Sequence, residues 1–237
     1  YPLKNNLLLD SNLREKIGKN KYFVVQIKDK AVNATAKAVD PQSYLKTLEA
    51  IKNNGHEIVF AGREKMPECF KELGLINYSE SEFASSYNDY CLILHCEGVI
   101  ASASGFCYIA EMLGIPLLSL NNWSLLGYAG EKTIQIPSTI NYKNNTPLKF
   151  VDQLKLAYSI GQITNDNNKL KNEFIINDAT ENDILNGFQE LENNIINNKT
   201  PLSDLQIKFN NLFPGEAIYF QMSRISNSFL QKNITRL

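Results

Sequence analysis

Ser102-Ala103-Ser104-Gly105 is the stretch of this chain best equipped for chemistry. It stands between an apolar run at 99–101 and a segment of helical apolar spacing at 106–113. Where a strand passes into a helix through such a turn, the first N–H groups of the helix lack intrahelical partners. Together they carry about half a positive charge and suit a phosphate oxygen. Gly105 permits close approach of the backbone, the Phe106 amide belongs to the same first turn, and the Ser102 and Ser104 hydroxyls add donors. The same residues also have a purely structural reading, in which Ser104 N-caps a core helix. A helix terminus supplies about 1–2 kcal/mol, against the roughly 8 kcal/mol of micromolar binding. Other groups must therefore share the work.

Those groups are expected in neighbouring turns. Lys28, Asp29 and Lys30 follow the apolar run "YFVVQI"; Gly62, Arg63 and Glu64 follow "EIVFA"; Tyr78 and Ser79 follow "LIN". Lys28, Lys30 and Arg63 are the cations within reach of a diphosphate, with Lys28 and Arg63 assigned to the clamp, and Tyr78 and Ser79 stand where a base or ribose would stack. Glu111 is expected to touch a ribose or sugar from the helix, with an ordinary helix-surface role as its alternative. Asn121, Asn122 and Trp123 follow the next apolar run, and amide and aromatic side chains there suit a sugar ring; a Trp plugging the loop is the alternative.

The elements that would position these residues follow from punctuation. A strand is predicted at 21–29. Asp40 as N-cap, Pro41 in the first turn and Gly55 at the end bracket a helix with Tyr44, Leu45, Leu48 and Ile51 on its apolar face. Strands follow at 56–62, 75–79, 99–102 and 116–120, with helices at 66–74, 79–94 and 106–113 between them. Ser79 and Glu82 have the spacing of a capping box for the second of these helices. The alternation predicts an α/β protein with a parallel sheet covered on both faces. Its ligands would then lie beyond the carboxyl ends of the strands. After 121 a long connection is expected, then a helix at 152–164, a strand at 173–178 and a helix started by Thr180 and Asp183. The division expected is an N-terminal segment at 1–20, as linker or remnant of another domain, a main domain at 21–199 and a helical tail at 200–237.

Bulk properties bound the function classes. The 237 residues carry a net charge of −1, which argues against a broad nucleic-acid surface. Apolar runs fall short of the roughly 20 residues of a membrane span. Four cysteines without a C-x-x-C pair and only two histidines argue against a zinc site and for reduced core thiols, hence a cytoplasmic protein. His95, in "LILHC", is expected in the core, and His56, after a glycine turn, at the surface. The absence of G-x-G-x-x-G after the first strand argues against a dinucleotide oxidoreductase.

Ser-x-Ser-Gly, a helix and "GIPLL" together resemble the C-terminal, nucleotide-sugar-binding domain of GT-B glycosyltransferases, heptosyltransferases among them. "SYLKTLEAIKNNGHEIVFAGRE", "INYSES", "YNDYCLILHCEGVIASASG" and "IPLLSLNNW" resemble, in order, segments of a family of bacterial surface-polysaccharide glycosyltransferases. "IQIPSTI", "TPLKF" and "NDATENDILNGFQEL" continue that resemblance, although the family carries Arg where Lys28 stands. The resemblance implies a Rossmann-like domain of the GT-B C-terminal type with additional C-terminal helices. It further implies sugar transfer from a nucleoside diphosphate sugar to a hydroxyl of a glycan or lipid-linked acceptor. No cofactor beyond that donor is expected. Peripheral attachment at the inner membrane would suit a lipid-linked acceptor. The chain lacks the Asp-x-Asp of metal-using transferases, so metal-independent stabilisation of the leaving diphosphate is expected, with Asp29 and Glu64 the nearest carboxylates. The alternatives are a nucleotide-sugar epimerase of the same architecture and a non-catalytic nucleotide-sugar-binding module.

Overall fold

The computed structural model describes residues 7–30, 38–125, 130–160, 170, 172–197, 201–212 and 224–237. Every residue of β1 (Tyr22–Gln26) and of β4 (Gly98–Ser102) is buried, and the two pair in parallel at the middle of a seven-stranded sheet. A strand covered on both faces has no wet side, so it reads as a continuous apolar run. β2 (Glu57–Phe60) and β3 (Ile76–Asn77) extend the sheet beyond β1. β5 (Leu117–Leu120), β6 (Thr133–Ile136) and a last strand, Arg224–Ile225, extend it beyond β4. Each pairing in this sheet is parallel, and the expected Rossmann-like architecture is present.

Alternate strand residues enter two cores. Phe23, Val25, Ile58, Phe60 and Ile100 pack with α2 (Leu45–Asn53) and a long helix at Glu181–Ile196. Val24, Val59, Val99 and Ala101 face the other way, toward α1 (Ser11–Ile17), α4 (Ser86–His95) and α5 (Gly105–Met112). α3 (Glu68–Glu72) joins β2 to β3. The Asp40 side chain accepts the Gln42 N–H at 3.0 Å and starts the 3-10 turn Pro41–Tyr44 that leads into α2. Gly55, at φ 80°, ends the run as expected.

The chain beyond 121 is more regular than expected. β6 is a full strand of the main sheet, while β7 (Thr139–Tyr142) and β8 (Phe174–Asn177) form a separate antiparallel pair. The strand expected at 173–178 therefore exists, but outside the parallel sheet. α6 (Phe150–Ile160), α7 (Glu181–Ile196), α8 (Asp204–Asn211) and α9 (Asn227–Lys232) follow. The tail expected to be helical also contributes β9 (Arg224–Ile225) to the edge of the sheet. α7 lies against the sheet so closely that a Cβ on Gly187 would collide with the Ile136 side chain and meet Leu118 Cδ1 at 3.2 Å.

Three local expectations are corrected. α4 begins at Ser86, because Ser85 accepts the Asn88 N–H at 3.2 Å; Ser79 instead bonds the Asn77 side chain. His95 is exposed, its Nε2 2.8 Å from the Leu7 carbonyl, while His56 is partly buried and edge-on to Phe23. Cys91, Cys96 and Cys107 are buried thiols outside any disulfide, as expected, and burial pushes Cys96 up to about 12.

Candidate functional site

Strand order 3-2-1-4-5-6 reverses direction between β1 and β4. At such a reversal the two flanking loops leave on opposite faces and open a crevice at the carboxyl edge. Gln26 and Ser102 end the two strands there, Gln26 paired with Ala101 and Ser102 with Leu120.

Ser102, Ser104, Gly105 and Phe106 stand together at this point. Ser104 is the N-cap of α5 by conformation, with φ −152° and ψ 176°, yet its hydroxyl makes no cap hydrogen bond. Gly105 is exposed, and a Cβ on it would have nothing within 4 Å. The amino end of α5 thus presents backbone to an open side. Phe106 packs partly into the core beneath. Ser102 is fully buried and its Oγ, like that of Ser104, has no hydrogen-bond partner.

These hydroxyls have company. Gln26 Oε1, Ser119 Oγ, Asn121 Nδ2, Ser138 Oγ and Gln153 Oε1 are also buried without partners. All belong to the ends of β1, β5 and β6 or to the helix against them. Their other polar ends are fixed. Gln26 Nε2 donates to the Ile27 carbonyl at 2.7 Å. Asn121 Oδ1 accepts the Ala179 N–H at 2.8 Å. Gln153 Nε2 donates to the Trp123 and Ser138 carbonyls at 2.7 and 2.9 Å. Each unsatisfied buried group costs about 1–3 kcal/mol, and natural folds carry few of them. Thr47 Oγ1, His56 Nδ1 and Asn88 Oδ1 are buried without partners elsewhere in the fold, so the feature is concentrated at this edge but not confined to it.

The turn after β1 is half occupied by the fold itself. The Lys28 carbonyl accepts the Val39 N–H at 2.8 Å, and Asp29 bridges to Val39. Lys30 pairs with Asp178 at 2.9 Å, so its charge is already answered. After β2, Gly62 at φ 111° makes room for the Gln26 side chain, whose Cγ would lie 2.9 Å from a Cβ there. Arg63 is exposed. Its charge reaches Asp89, whose carboxyl burial raises above the usual range while the Tyr78 hydrogen bond and Arg63 pull it back.

Three expected contacts lose their geometry. Tyr78 is 1% exposed, and its hydroxyl bonds the Ser85 N–H and carbonyl at 3.0 and 3.1 Å, so its ring is core rather than a stacking face. Ser79, beside it, is partly exposed. Glu111 Oε1 accepts from Gly130 N at 2.8 Å and Thr133 Oγ1 at 3.2 Å. Thr133 opens β6, roughly 10 Å from the carboxyl edge at 3.3 Å per residue, so Glu111 straps the entry to β6 and faces away from the turn. Asn122 is buried, its Oδ1 accepting from Ser124 Oγ at 2.9 Å, and Trp123 is core.

Gln26, Ser119, Ser138 and Gln153 are additions that residue order alone does not single out, whereas Asn121 stands in the stretch expected to meet a sugar ring. Among the described residues no group of three His, Cys, Asp or Glu side chains is arranged to hold a metal ion, and no helix is long and apolar enough to cross a membrane.

No family model and no curated protein matches the chain. Among solved structures it is similar to the dodecameric iron-containing glycosyltransferase TibC of enterotoxigenic E. coli H10407, at 16% identity over 46% of this chain and 29% of that one, with a TM-score of 0.34. The heptosyltransferase TibC in complex with ADP-D-beta-D-heptose aligns at 15% identity over 49% and 31%, with a TM-score of 0.36. The UDP-GlcNAc 2-epimerase of Methanocaldococcus jannaschii, in complex with UDP-GlcNAc and UDP, aligns at 12% identity over 81% and 50%, with a TM-score of 0.37. The chain spans half the length of these structures or less, and at such scores the likenesses decide neither reaction nor substrate.

Proposed function

We propose that the carboxyl edge between β1 and β4 binds the diphosphate of a nucleotide sugar. The chain then serves as the donor-binding part of a glycosyltransferase that passes the sugar to a hydroxyl of a glycan or lipid-linked acceptor. One observation carries this reading. The amino end of α5 is left uncapped, and the hydroxyls of Ser102 and Ser104 beside it are buried without a partner. A diphosphate brings a dense set of acceptors and negative charge, which suits amide and hydroxyl donors at a helix start. Lys28 and Arg63 supply the cationic share of the clamp.

In the transfer, a bond forms from the acceptor oxygen to the anomeric carbon as the bond from that carbon to the diphosphate oxygen breaks. The acceptor proton passes to a base, and charge grows on the departing diphosphate. Fixed donors at the place where charge develops lower the barrier to that departure. The α5 amides and Arg63 take that part without a metal in this proposal. Nucleotide-sugar use and the buried, unbridged cysteines fit a cytoplasmic setting.

The test is a thermal-shift series of the chain with UDP, ADP, GDP and their sugars. A ligand at 100 times its dissociation constant adds about 2.7 kcal/mol of stability. One nucleoside diphosphate is expected to raise the melting temperature, and Arg63→Ala to weaken that ligand about tenfold. No shift with any of them overturns the reading, and an unchanged affinity in the Arg63 variant removes the clamp. In turnover assays, released nucleoside diphosphate with a new glycoside marks transfer; interconversion of the sugar nucleotide marks epimerisation and overturns it.

A further inference from the structure

We infer that the Tyr44 hydroxyl is a further contact for the ligand diphosphate at the β1–β4 crevice; the inference rests on the nucleotide-sugar reading above. Tyr44 ends the 3-10 turn that leads into α2. The chain reaches that turn from Val39, which bonds Lys28 and Lys30 just past the end of β1, so the turn sits at the carboxyl edge. The ring is fully buried and packs on Phe70, with centroids 6.2 Å apart. A phenylalanine would fill the same space. The hydroxyl is what differs, and it has no hydrogen-bond partner.

Its place in the core points to the carboxyl end of β4. Burial drives the phenol far above its ordinary pKa, and the charges that add to this come from Cys107 and Asp178. Cys107 lies in the first turn of α5, its Sγ 3.5 Å from the Ser102 carbonyl. Asp178 is paired with Lys30. Ile100 shares the apolar core of Tyr44, and two residues along a strand return to the same face, so Ser102 turns its hydroxyl to Tyr44's side of the sheet. Two covered, unpartnered hydroxyls, one from β4 and one from the approach to α2, thus meet the same edge from the same side. A phenol that stays protonated is a donor, which is what a phosphate oxygen takes.

The experiment compares Tyr44→Phe with the unaltered chain by calorimetric titration with UDP, ADP and GDP, together with melting curves of both proteins without ligand. Loss of one hydrogen bond to a charged acceptor is expected to weaken the bound nucleoside diphosphate about tenfold. The ligand-free variant should melt at the same temperature or higher, since a buried polar group without a partner has been removed. Equal affinity in the two proteins overturns the Tyr44 contact and leaves the nucleotide reading standing. A lower melting temperature with unchanged affinity also overturns it, because the hydroxyl then serves the fold through a buried water. If the unaltered chain binds none of the three, the nucleotide reading falls and Tyr44 with it.

Discussion

Two helices begin near the carboxyl edge, and their first turns are finished in opposite ways. At α7, Thr180 and Asp183 form a complete capping box: Thr180 N and Oγ1 donate to Asp183 Oδ2 at 2.9 and 2.6 Å, and the Asp183 N–H donates back at 3.3 Å. Lys232 adds its ammonium to the same carboxylate at 2.7 Å. At α5 the residue in the equivalent place, Ser104, leaves its hydroxyl without a partner, and Gly105 next to it is open. Both helix starts carry the same partial positive charge. One is answered inside the chain and serves folding; the other stays available.

The comparison breaks or sharpens under substitution. The largest effect is expected from Asp183→Ala, which removes the cap acceptor and the Lys232 partner together. About 2 kcal/mol of stability should be lost, read as a fall of about 4–8 °C in melting temperature, with nucleoside diphosphate affinity nearly unchanged. Gly105→Asp should separate folding from binding. A carboxylate in the first turn of α5 favours the helix by about 0.5 kcal/mol, yet it occupies the anion's place, so nucleotide affinity should drop about tenfold or more by calorimetry. Parallel losses of stability and affinity would show that the start of α5 serves folding just as that of α7 does. Ser104→Ala should be smallest: stability within about 0.5 kcal/mol of the unaltered chain and affinity about two- to threefold weaker. A stability loss near 1 kcal/mol would reveal an ordinary N-cap.

The parallel core was readable because its punctuation is local. Asp40 with Pro41, Gly55, Gly74 and Gly114 mark helix ends by rules that need only a few neighbouring residues. β6 was not readable, since "TIQI" sits in a long Asn-rich stretch and becomes a strand only by pairing with β5. Ser79 and Glu82 offered a convincing box, yet Ser85 does the capping, because Tyr78 is drawn into the core and holds Ser85 beside it. At the site the Ser102–Phe106 turn announced itself by composition. Gln153 did not: its role depends on carbonyls of Trp123 and Ser138 that only the folded chain brings to it. Glu111 misled for the complementary reason, as its partners Gly130 and Thr133 lie about 20 positions later.

If the carboxyl edge binds a nucleotide sugar as proposed, Gly187 bears on ligand selection from a distance. The helix that carries it also carries, roughly 10 Å toward its start at 1.5 Å per residue, the capped end whose neighbour Ala179 holds the Asn121 side chain in place. A methyl group at 187 would act as a shim between helix and sheet, lifting that end and loosening the grip on Asn121. Under that proposal, changes in what the edge accepts can arise from a helix packing residue with no contact to the ligand.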